Sequence, residues 1–165
     1  MVVLKRIAVT IYILVLLYLA GFAIGSAARE EMLIQIALPF AIILILGVRV
    51  LGERSELAGW AVFTVWLGST YLQTGQTIET IIFVVYIGIA LLGAFKSPYF
   101  LGLAWLFHPV WDFVPRELPD LLKDLPTACI MFDIPIGLYI LWFTRKDRWK
   151  PFGKNAKSSS PAATS

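Results

Sequence analysis

The sequence predicts an all-α protein, a polytopic bundle of six transmembrane helices with both termini on the cytoplasmic side. Two observations predict the class. Hydrophobic residues fill 59% of the 165 positions and the mean hydropathy is +0.79, well above the roughly half-apolar usage of soluble domains. Charged residues make up only 15% and gather in short patches between long apolar runs, as chains do when their backbone must satisfy itself inside lipid. The runs are continuous rather than alternating, which argues against a β-barrel. The length allows one small bundle and no separate soluble domain.

The first expected span covers residues 7–25, after Lys5 and Arg6. Its apolar length corresponds to about 28 Å of helix, close to the hydrocarbon thickness of a bilayer. Gly21 and Gly25 form a small-x-x-x-small pair suited to close helix contact. A rival reading makes this stretch a signal peptide cleaved after Ser26-Ala27-Ala28, but the apolar run is longer than a usual signal core. The second span, 33–51, contains Gln35 and Pro39 and ends near Arg49. A charged turn, Gly52-Glu53-Arg54-Ser55-Glu56, precedes the third span at 57–72, which holds Trp60, Thr64 and Trp66. The fourth runs over 78–95 with Glu79 at its mouth, and Lys96-Ser97-Pro98 forms a compact turn.

The fifth span, 99–114, is short, about 24 Å of helix, and calls for local thinning of the bilayer. Leu118, Leu121, Leu122 and Leu125 then recur at i, i+3, i+4 and i+7, so 116–125 reads as an amphipathic segment lying at the interface. The sixth span covers 127–144 and contains Asp133 and Pro135. The tail, 145–165, is basic at first, with Arg145, Lys146, Arg148 and Lys150, and then rich in Ser and Ala. It is expected to touch anionic lipid headgroups with its basic part and to be disordered beyond it. With both ends inside, eleven of the Lys and Arg residues fall on the cytoplasmic side and three, Arg29, Arg116 and Lys123, fall outside. That bias is what the positive-inside rule requires. A bacterial-type plasma membrane is the default location.

The stretch SPYFLGLAWLFHPVWDFVPRE, residues 97–117, carries the chemistry. It is apolar enough for lipid, yet holds His108 and Asp112 four residues apart, on one face of a helix. Pro39, Pro109 and Pro135 all fall in the outer halves of their spans, and each releases the carbonyl four residues earlier, at Gln35, Trp105 and Met131. Broken helices with free carbonyls and carboxylates at membrane depth can coordinate ions, so Asp133, His108, Asp112, Gln35 and Glu79 form the candidate ion or proton site. His108, Asp112 and Asp133 are candidate ligands of a divalent cation. Asp133 stands about 9 Å inside its span with no basic residue within a turn, and ionisable groups at that depth are costly enough to default to a functional reading.

Other chemistries are absent. The single histidine excludes a His-rich zinc site within one chain, and the single cysteine, Cys129, excludes an intramolecular disulfide. No G-x-S-x-G, phosphate-binding loop or Cys-x-x-Cys occurs, so the reading leans away from an enzyme. The formal charge of +3 sits at membrane flanks and does not point to nucleic acid.

His108-Pro109-Val110-Trp111-Asp112 resembles the H-x-x-W-D element of small, largely uncharacterised integral membrane proteins. Such proteins often carry further histidines after that Asp. Here Phe113-Val114-Pro115-Arg116 follows instead, so a metal role dependent on those histidines does not carry over. Three functions remain in order of preference. The first is ion or small-solute handling, and the second is a metal-dependent membrane enzyme acting on lipid or an outward-facing substrate. The third is a non-catalytic assembly or scaffold subunit, with an oligomer or partner subunit as its context.

Overall fold

The computed structural model describes residues 2–69, 72, 77–112, 120 and 123–152, and the side chains at 2, 111 and 112 fall outside the described set. Among the described residues there are six α-helices: α1 (Val2–Arg29), α2 (Leu33–Arg49), α3 (Glu53–Ser69), α4 (Thr77–Phe95), α5 (Tyr99–Asp112) and α6 (Leu125–Arg145). Three of them, α1, α4 and α6, are long and apolar enough to cross a membrane; α2 and most of α5 are shorter apolar helices. The segment expected to lie at the interface, 116–125, falls mostly outside the described residues.

Short connections force neighbouring helices to run antiparallel. The turn between α2 and α3 shows how. Gly52 takes φ 76°, the left-handed conformation that glycine adopts without a Cβ penalty. Glu53 and Glu56 follow in the first turn of α3, where acidic side chains favour the positive end of the helix dipole. The expected charged turn is therefore shorter than the sequence implied, and most of it is helix. Pro126 occupies the first turn of α6, where its missing N–H costs nothing.

The core lies where α2, α3, α5 and α6 meet. Ala41, Val48, Leu57, Trp60, Phe63, Leu101, Trp105, Ile136 and Ile140 are all fully buried there. α5 and α6 form the most extensive helix pair, and α2 packs along the other side of α6. α1 is peripheral. It touches α2 and α3, and Tyr12 donates a hydrogen bond to the Gly47 carbonyl at 3.0 Å. Its opposite face presents Leu14, Tyr18 and Phe22 to the outside. The helix runs unbroken through Ser26-Ala27-Ala28, and Ala27 and Ala28 are packed in the core. The molecule thus places much of its apolar surface outward and encloses Glu56, Thr64, Glu79, His108 and Asp133.

Candidate functional site

The site is built at the crossing of α5 and α6. Gly102 and Gly137 face each other there. A Cβ on Gly137 would lie 2.7 Å from Leu106 Cγ and 3.1 Å from the Gly102 carbonyl oxygen, closer than real side chains approach. The absence of both side chains lets the two backbones come together, as small residues do between membrane helices. His108 lies six residues beyond Gly102 on α5, and Asp133 four residues before Gly137 on α6. Because the helices run in opposite directions, both lie on the same side of this crossing.

His108 Nδ1 and Asp133 Oδ2 are 2.7 Å apart, within hydrogen-bonding distance. The side chains are 1% and 0% exposed, so solvent does not screen the contact. Cys129 joins the pair. It precedes Asp133 by four residues, which puts thiol and carboxylate on one face of α6. One ligand atom from each of His108, Cys129 and Asp133 falls within 4.8 Å of the others, and all three residues are buried. A nitrogen, a sulfur and an oxygen donor therefore converge in the interior.

Aromatic packing fixes the histidine. The Tyr86 ring on α4 stands edge-on to the imidazole, with centroids 5.8 Å apart, and its hydroxyl donates to the Ala104 carbonyl one turn below at 3.2 Å. Trp105 donates its indole N–H to Thr64 Oγ1 at 3.0 Å, while that hydroxyl donates to the Trp60 carbonyl. Phe132, next to Asp133, packs between Phe40 and Trp105. α2, α3 and α4 thus brace the α5–α6 seam from three sides, and the seam holds the polar groups.

Gln35 is exposed on α2. Glu79 is buried in the first turn of α4. Asp112 ends α5, but its side chain lies outside the described residues. Pro109 is buried beside His108, whereas Pro39 is exposed. In the tail, Arg145, Lys146, Arg148 and Lys150 are all exposed. Lys146 lies 4.3 Å from the Trp142 ring centre, and Arg148 pairs with Glu53 at 3.7 Å.

Two features escaped the sequence reading. In the sequence Cys129 only excludes a disulfide, although its Cys-x-x-x-Asp spacing to Asp133 is visible there. The second is a polar cluster at the opposite end of the bundle. Glu56 is fully buried. It accepts hydrogen bonds from Arg49 Nη1 at 2.6 Å, from the Tyr139 hydroxyl at 2.5 Å and from Trp149 Nε1 at 3.4 Å. One carboxylate thereby ties together α2, α3, α6 and the start of the tail. A signal for it existed. Trp60, Phe63, Thr64 and Leu67 form the buried stripe of α3, and the same stripe extended one turn back lands on Glu56.

No significant match is found among curated proteins or among solved structures. A family of unknown function, DUF6010, matches residues 30–146. That stretch runs from α2 through α6 and carries the His108, Cys129 and Asp133 cluster together with Arg49, Glu56 and Tyr139. By this match over most of its length, the chain belongs to the DUF6010 family.

Proposed function

We propose that this protein is a multi-pass integral membrane protein, of six spans with both termini cytoplasmic, that handles a small cation at a buried site in its outer half. The observation that carries the reading is the 2.7 Å contact between His108 and Asp133, buried across the α5–α6 seam. A carboxylate at 0% exposure costs several kcal/mol to leave charged and uncompensated. A fold that retains one in an apolar bundle is offsetting that cost, and a bound cation would do so. Both seam helices contain a proline, Pro109 and Pro135, and each proline frees a carbonyl close to the pair. The eleven-to-three distribution of basic residues supports the orientation. A bacterial-type plasma membrane is the setting, and the exposed basic tail would meet anionic lipid on its inner surface. The H-x-x-W-D element fits the same reading, since its His is the residue at the seam.

The test is cation flux into vesicles reconstituted with purified protein, using indicator dyes for protons, monovalent ions and divalent metals. Wild-type protein should move at least one of these ions, and Asp133→Asn should abolish that movement while retaining its helical content and elution as a single species. Equal flux in the two proteins for every ion would overturn the proposal.

A further inference from the structure

Resting on that reading, we infer that the cation is a thiophilic divalent transition metal of the zinc type, bound by His108, Cys129 and Asp133 as a three-ligand site. Hard cations are poorly served here. Calcium and magnesium take six or more oxygen ligands, and the cluster offers one carboxylate beside a thiol and an imidazole. Zinc accepts nitrogen, sulfur and oxygen in one tetrahedron, and three protein ligands with a fourth open position is the arrangement of its reactive and exchangeable sites.

Geometry and charge agree. Zinc bonds of about 2.0–2.3 Å put neighbouring ligand atoms of a tetrahedron roughly 3.3–3.8 Å apart. The three donors lie within 4.8 Å of one another, with His108 Nδ1 and Asp133 Oδ2 at 2.7 Å, so side-chain adjustments on the order of an ångström would reach that spacing. Cys129 and Asp133 share one face of α6, and the Gly102–Gly137 crossing holds His108 opposite them. Binding through sulfur expels the thiol proton, and the imidazole ligates in its neutral form. A thiolate and a carboxylate then balance the two charges of the ion, and the loaded site is neutral. Neutrality suits this environment, because uncompensated charge is heavily penalised at low dielectric. A singly charged ion would leave the same ligand set with excess negative charge.

The test uses full-length protein in detergent, stripped with a chelator and titrated with Co2+ and Zn2+. Wild-type protein should bind one Co2+ per chain and develop a thiolate-to-cobalt charge-transfer band in the near ultraviolet. Cys129→Ser should lose the band and weaken Zn2+ binding by more than about 100-fold, beyond the 10–100-fold typical when only an orienting partner is lost. Since Cys129 is the sole cysteine, alkylation of wild-type protein gives a second readout that needs no variant. Zn2+ should slow modification of that thiol, and Mg2+ should not. Folded wild-type protein that shows neither the band nor zinc protection overturns the inference, as does a band that persists in Cys129→Ser. Zinc binding with the thiolate signature but no flux in vesicles would leave the metal site standing and remove the transport reading. Flux of another ion without the signature would do the reverse.

Discussion

Glu56 and Arg49 make an unequal pair. The carboxylate is fully buried, whereas the Arg49 side chain is 38% exposed and can reach water when its partner is lost. Removing the arginine strands a buried charge that, among the described residues, Tyr139 and Trp149 then support. Removing the charge on Glu56 leaves neutral hydrogen bonds and a solvated guanidinium. Arg49→Met should therefore destabilise the protein by about 3 kcal/mol, the low end for a broken buried pair because the pair is partly screened. Glu56→Gln should cost about half as much. Unfolding in mixed micelles with graded SDS would measure both, and a larger loss in Glu56→Gln would show that the cluster is held by the acid's charge alone.

Among the elements, the α5–α6 seam decides whether the His108–Asp133 site exists. Neither Gly102 nor Gly137 has a side chain that could ligate a cation, yet their close approach sets the distance between His108 and Asp133. Gly137→Ala would press a methyl group against Leu106 and the Gly102 carbonyl. Overpacking of this kind costs about 1–3 kcal/mol, and it should push the helices apart and weaken cation binding although every ligand remains. Gly88 on α4 has nothing within 4 Å of the position a Cβ would take, so Gly88→Ala is the matched control and should be neutral in both stability and binding. Cation affinity in Gly137→Ala equal to that of the control would mean that the seam tolerates the extra volume and that the ligands find each other without it.

For the molecule as a whole, orientation in the bilayer is the property to fix. The two polar clusters lie at opposite ends of the bundle, with Arg49, Glu56, Tyr139 and Trp149 at one end and His108, Cys129 and Asp133 toward the other. In the proposed orientation the Glu56 end faces the cytoplasm. Reporter fusions should then give cytoplasmic activity after residue 165 and external activity within the turn at 30–32. The reverse pattern at either position would invert the proposed topology and put the metal-type donors on the inner side.

Much of this was legible without coordinates. Long apolar runs have one stable solution in lipid, because every backbone N–H and C=O must be satisfied within its own segment, so helices and their approximate bounds follow from composition. Asp133 and His108 stood out for the same reason, as ionisable groups in apolar surroundings. Pairing between distant segments was beyond the sequence's reach. Whether His108 meets Asp133 depends on the register of α5 against α6, which two opposed glycines set by letting the backbones approach. The role of Glu56 depends on how four separate segments converge at one end of the bundle. Composition and the continuity of the apolar runs dictate that the chain is helical and where its costly polar groups lie along it. Which of those groups meet is set by the packing between helices, because short-range contacts such as hydrogen bonds and ligand sets do not follow from position within one helix.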